Sequence, residues 1–128
     1  MKKTPTPLPF DEKVFSTNVK QYFDTYDVKS CKWILPLLYY LSFGKKKPCE
    51  IRNDIPDING RSLKRILGNM VHKELILRTV INDDPTDVEY SLLPGGKVHV
   101  PSFEAEADLG KKYRDIIVKS GNTKKTKP

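Results

Sequence analysis

Apolar residues recur along this chain mostly at helical spacing, and the exceptions fall in one short window. Phe15, Val19, Tyr22 and Phe23 repeat every three to four residues, which predicts a helix from 11 to about 23 with Asp11 as N-cap. Trp33, Ile34, Leu37, Leu38 and Leu41 follow i, i+1, i+4, i+5, i+8, the pattern of a buried helix over 33–43. Pro36 lies near its start, where a missing N–H is tolerated, and Gly44 supplies a stop. A short helical turn over 50–53 is expected after the run Lys45-Lys46-Lys47-Pro48. Asn59-Gly60 opens the next helix, which should run to about residue 73 on a stripe of Leu63, Ile66, Leu67, Met70 and Val71. Residues 75–81 are then rich in Leu, Ile and Val and 88–92 alternate with period two, which predicts a β-hairpin, with turn chemistry throughout 82–87. Pro94-Gly95-Gly96 breaks the chain, and a last helix to about 118 carries a seam of Ala105, Leu109, Tyr113, Ile116 and Ile117.

The helix over 60–73 divides into two sides. At 100° per residue, the face opposite the apolar stripe is centred on Arg61, Arg65, Gly68 and His72, flanked by Ser62, Lys64 and Asn69. Its apolar side holds the helix to the domain. Its polar side offers Arg, Lys, Ser and Asn to base edges or phosphates, as a recognition helix requires. Any amphipathic surface helix has a polar face, so the order of elements adds the rest. Helix–turn–helix followed by a hairpin is the order of a winged helix. The expected class is mainly α with a small β-hairpin (α+β).

Charge strengthens that picture. The net charge of +7 is unevenly placed: residues 31–77 hold nine basic and four acidic side chains (+5), whereas 78–101 hold two and four (−2). A positive field over a packed segment suits a polyanion such as double-stranded DNA, whose counterions Lys and Arg release. With 128 residues, 38% hydrophobic and 30% charged, the chain fits one domain and excludes fibrous and fully disordered classes. No apolar run approaches the ~18 residues a membrane span needs, and no h-region follows Lys2-Lys3. Two cysteines, Cys31 and Cys49, are too few for a disulfide framework, so a reducing, cytoplasmic setting is expected. Pro5, Pro7 and Pro9 predict a mobile arm over 1–9, and 123–128 reads as a basic disordered tail. Between them lies a single domain over 10–122 with its core in 31–100.

These residues resemble the HxlR-type, MarR-like winged helix-turn-helix transcriptional regulators. The family pattern runs Lys-Trp, Leu, Gly, a basic pair, Glu-Leu, Pro-x-Ile-Ser, Gly-Leu-x-x-Arg and Pro-x-x-Val-Glu-Tyr-x-Leu. This chain supplies Lys32-Trp33, Leu38, Gly44, Lys46-Lys47, Glu50-Ile51, Pro56-Asp57-Ile58-Asn59, Glu74-Leu75-Ile76-Leu77-Arg78 and Pro85-Thr86-Asp87-Val88-Glu89-Tyr90-Ser91-Leu92. The resemblance spans 31 to about 113. It implies a homodimer, with helices over 10–25 and 102–118 packed across a two-fold axis, and two recognition helices in successive major grooves. It implies a sequence-specific transcriptional regulator; a repressor is expected, with activation left open. Arg61, Ser62, Lys64, Arg65 and Asn69 would lie on the DNA-reading helix, Lys46 and Lys47 on phosphates, and Arg78 at the base of the wing. Three departures stand out. Lys20 occupies the place of a redox cysteine found in many relatives, so thiol sensing is not expected. Gly68 interrupts the recognition helix. Asp83, Asp84 and Asp87 make the wing acidic, where they would repel phosphate.

Other chemistry lacks its motifs. Cys49 beside Glu50, with His72 and His99 elsewhere, has no nucleophile elbow and no orienting acid, so an enzyme is not expected. Asp83, Asp84, Asp87 and Glu89 lack the glycine and terminal glutamate of a calcium loop, so neither metal nor other cofactor is expected. Trp33, Tyr39 and Tyr40 are expected in core and dimer packing, and a small-molecule effector stays open. The acidic wing leaves a second class open: a winged-helix protein–protein interaction module that does not bind DNA specifically.

Overall fold

The computed structural model describes residues 9–29 and 31–120. The elements run α1 (Glu12–Lys29), α2 (Ile34–Leu41), α3 (Pro48–Asp54), α4 (Gly60–His72), β1 (Ile76–Ile81), β2 (Asp84–Leu92), α5 (Pro94–Lys97) and α6 (Val100–Ser120). Residues 1–8 of the arm expected over 1–9, and the tail over 123–128, lie outside the described residues. The core forms where α2, α3, α4 and the hairpin meet. Ile34, Leu37 and Leu38 of α2, Ile51 of α3, Leu63, Leu67 and Met70 of α4, and Ile76 of β1 are all essentially inaccessible to solvent. The apolar stripes anticipated for α2 and α4 both face this core, with Trp33 and Val71 partly buried at its edge.

Local chemistry sets the element ends. The Asp11 carboxylate accepts from Val14 N–H at 3.2 Å, and the Asn59 side chain accepts from Ser62 N–H at 2.8 Å, each capping a helix start. Glu50 accepts from the Lys47 N–H at 2.7 Å, which fixes the start of α3 behind Pro48. At the end of α4, Leu75 N–H reaches back to Met70 C=O and Glu74 N–H to Val71 C=O. This is a Schellman closure, and it places Glu74 in the left-handed region at φ 59°.

Several expected boundaries move. α1 continues past 23 to Lys29, because Val28 reaches the core and Lys29 pairs with Glu106 of α6. α2 is shorter than 33–43, with Trp33 as its N-cap and Ser42 as its C-cap. The turn expected at 50–53 is a full helix, α3. The six-residue turn over 82–87 contracts to Asn82-Asp83, both at φ 57°, the backbone that joins two strands tightly. Strand β2 begins at Asp84, and the register jumps from Val80↔Val88 to Ile81↔Asp84, so 85–87 bulge from the ladder. Pro94-Gly95-Gly96 forms the one-turn helix α5 rather than a break. Lys46 adds a third, single-residue rung to the hairpin through paired backbone bonds with Tyr90.

α6 docks on α2 by its first turns only. Phe103 stacks on Tyr39 with ring centroids 4.6 Å apart, and Tyr39 donates its hydroxyl to Glu104 at 3.4 Å. No residue of α6 is buried. The predicted seam is open to solvent within this chain: Leu109, Tyr113 and Ile116 are each about two-thirds exposed.

Candidate nucleic-acid interface

α4 has a buried side and a free side. Leu63, Ile66, Leu67 and Met70 are buried, while Arg61, Lys64, Arg65, Gly68 and Asn69 are exposed and Ser62 is half-buried. No salt bridge engages Arg61, Lys64 or Arg65 among the described residues. Their charges are therefore available to an external anion. The helix splits this set over two flanks. Ser62 and Arg65 line a hollow of about 290 Å³ shared with Lys32 and Trp33. Lys64 lines a second groove, shared with α3 and the wing.

The other anticipated residues take more specific positions. Lys46 is half-buried, with its ammonium 5.6 Å from the centroid of the Tyr40 ring, a cation–π placement. Lys47 Nζ lies 3.5 Å from Asp87 Oδ1, and Lys45 Nζ lies 3.6 Å from Glu89 Oε1. These are surface ion pairs, worth about 0–1 kcal/mol each, weak enough for a phosphate to displace. Arg78 turns toward α4, and its guanidinium donates to Pro85 C=O at 2.9 Å, holding the bulge against β1. Arg52 of α3 was absent from the expected set. It joins Lys64 and Arg78 around the groove, with its stem 3.6 Å from where a Cβ on Gly60 would stand. Its position in the last turn of α3, seven residues before the α4 cap, is the available signal.

The wing's carboxylates are largely engaged. Asp84 accepts from the Thr86 N–H at 3.0 Å and the Thr86 hydroxyl at 2.8 Å, and these bonds hold its carboxyl below the usual aspartate range. Asp87 and Glu89 face lysines. On α2, burial, the hydrogen bond to Asp54 at 2.5 Å and the nearby charges of Asp54 and Glu50 push the Tyr40 phenol well above its ordinary range. Among the described residues, no cluster of three or more His, Cys, Asp or Glu side chains could hold a metal ion. No described helix is long and apolar enough to cross a membrane.

A two-helix motif with a free basic face, followed by a two-stranded wing, defines a winged helix-turn-helix, the class of DNA-binding transcriptional regulators. The chain belongs to the HxlR-like helix-turn-helix family, which matches residues 28–117. It is 38% identical over 95 residues to the uncharacterized HTH-type transcriptional regulator YdeP of Bacillus subtilis strain 168, covering 74% of each chain. It is equally identical over 90 residues to an uncharacterized HTH-type transcriptional regulator of Methanothermobacter thermautotrophicus, covering 70% of this chain and 69% of the other. Among solved structures, the redox regulator HypR in its reduced form aligns with a TM-score of 0.67 at 30% identity, over 77% of this chain and 98% of that one. A regulator of the MarR family from Enterococcus faecalis V583 shares the fold, with a TM-score of 0.61 at 23% identity, over 90% of this chain and 99% of that one.

Proposed function

We propose that this protein is a dimeric, sequence-specific repressor that lays α4 in the major groove. The supporting observation is the free face of α4: Arg61, Lys64 and Arg65 project from a helix whose other side is locked into the core. In this reading Arg61, Lys64 and Arg65 read base edges, Ser62 and Asn69 assist at the margins, and Arg52, Lys46, Lys47 and Arg78 serve phosphates. Dimerisation rests on α1 and α6. Phe15, Tyr22, Phe23 and Tyr26 of α1 and Leu109, Tyr113 and Ile116 of α6 are exposed in one chain, an apolar surface that a second copy would cover. A role on DNA places the protein in the cytoplasm. The protein–protein alternative draws on the acidic wing, where Asp84 is turned back onto Thr86 while Asp87 and Glu89 hold only surface ion pairs.

The test is a gel-shift and footprinting series on DNA upstream of the protein's own gene and its neighbours, repeated across a salt titration. Arg65→Ala should flatten the preference for the specific site, since each good base contact carries about 1–3 kcal/mol of discrimination. Lys47→Ala should weaken every duplex alike and reduce the salt slope by about one. Equal loss on specific and random duplexes for Arg65→Ala would remove its role in base reading. Absence of duplex binding at low salt, with a salt-insensitive protein complex instead, would overturn the proposal in favour of the interaction module.

A further inference from the structure

The hairpin has one closed edge and one open edge. On the far side of β2, Lys46 closes the ladder through paired backbone bonds with Tyr90. β1 pairs with β2 alone. The backbone groups of 77–81 that point away from β2 therefore have no partner among the described residues. Exposed edges are usually guarded by lysine, proline or a bulge. β1 reads Ile-Leu-Arg-Thr-Val-Ile and carries no lysine and no proline, and the bulge lies in β2. Its one charge, Arg78, is turned to Pro85 C=O. Ile76, Val88 and Tyr90 are buried on the inner face, so Leu77, Thr79 and Ile81 alternate onto the outer face. There Leu77 is 48% exposed, Thr79 is exposed and Ile81 is half-buried.

The pattern of β1 matches itself. When two copies of one strand pair antiparallel about a two-fold axis normal to the sheet, each residue faces one from the same side of the pleat. The two registers with the longest overlap are centred on Arg78 and on Thr79. The first sets two guanidinium groups directly opposite each other, which is destabilising. The second sets Thr79 against its own copy and Leu77 against Ile81 twice over, all favourable cross-strand pairs, with Arg78 facing Val80. We propose that β1 is a self-pairing interface, through which the wing of one copy joins the wing of another, antiparallel about Thr79. So short a contact is weak on its own. Where α4 holds neighbouring dimers on one duplex, their high effective concentration makes a weak contact sufficient. That consequence rests on the proposed dimer and its DNA reading; the pairing of wings does not.

The experiment uses the full chain with Cys31→Ser and Cys49→Ser, so that an added thiol is the only one, oxidised with diamide. Thr79→Cys should link to its own copy on non-reducing gels. Leu77→Cys should self-link at about one-tenth that rate, because it lies about 13 Å from its copy in this register. An equimolar mixture of Leu77→Cys and Ile81→Cys should give the mixed disulfide, identified by mass spectrometry. Self-linking at 77 as fast as at 79 marks random collision and would overturn the proposal. In sedimentation without oxidant, the wild-type chain at about 1 mM should approach twice the average mass of Thr79→Lys or Thr79→Glu, which place like charges across the axis. Both substitutions alter an exposed side chain and should keep the wild-type melting temperature, and mixing the two variants should restore the larger mass. Equal mass in all three, or a mixture no heavier than its parts, would also overturn it. In a second arm, the wild-type chain should fill a long duplex more steeply than Thr79→Glu. Equal steepness would overturn the linking of neighbours alone, and a protein that binds no duplex would overturn the DNA reading while the thiol links still decide the pairing.

Discussion

Glu74 is the residue whose backbone conformation least suits its side chain. It closes α4 at φ 59°, a region that costs a residue with a Cβ roughly 1–2 kcal/mol and glycine almost nothing. The Schellman closure sets this backbone, and glycine would meet it without strain. Glu74→Gly should raise the melting temperature by about 3–5 °C in calorimetry, allowing for the entropy glycine adds to the unfolded chain. Gly96 is the converse case. A Cβ there would collide with Leu75 C=O and stand 2.9 Å from Leu38 Cδ2. Gly96→Ala should therefore lower stability by about 2 kcal/mol or more, a fall of roughly 10 °C. Tyr40 gives a pH signature. Burial, with Asp54 beside it, holds its phenol protonated above the ordinary value near 10, so the folded state keeps a proton that the unfolded chain releases. Its contribution is complete below pH 10 and declines as pH rises beyond that. Tyr40→Phe should flatten the alkaline side of a stability–pH curve measured by denaturant titration.

Among the elements, α2 and α4 were the most legible in sequence because a continuous apolar stripe at helical spacing has one physical use. The hairpin was legible in kind but not in detail. Asn82 through Asp87 are all turn formers, and only tertiary contacts decide which two make the turn. The bulge at 85–87 depends on Arg78 reaching Pro85 and on Asp84 turning back to Thr86. The third rung at Lys46 was likewise hidden, since three consecutive lysines carry no strand signal. In the candidate site, the free face of α4 could be listed from the 100° periodicity alone. Its division into two flanks, and the entry of Arg52, required the positions of α3 and the wing. Two substitutions test these elements. Gly68 has nothing within 4 Å of where a Cβ would stand, so Gly68→Ala should stabilise α4 by about 1 kcal/mol. A duplex affinity that falls while stability rises would mark position 68 as a point of close approach. Asp87→Asn frees Lys47, and should tighten binding to all duplexes and steepen its salt dependence, as read by fluorescence anisotropy.

At the scale of the whole molecule, the helices at the two ends of the domain are the least self-sufficient. Their amphipathic character was readable; in the proposed dimer their partner belongs to another chain and leaves no pattern of its own in the sequence. Ile116→Glu places a charge in the exposed seam of α6 and should yield monomers at micromolar concentration in analytical ultracentrifugation. An unchanged dimer would move the interface elsewhere. The absence of any buried residue in α6 reaches further. A helix stabilised mainly by a twin subunit has an order that varies with dilution, so thermal midpoints should climb with protein concentration. Two half-sites on one operator hold a pair of subunits side by side at high effective concentration, whatever the copy number in the cell. In a scarce regulator of this build, the gene's own control region would act as the template on which α6 becomes ordered.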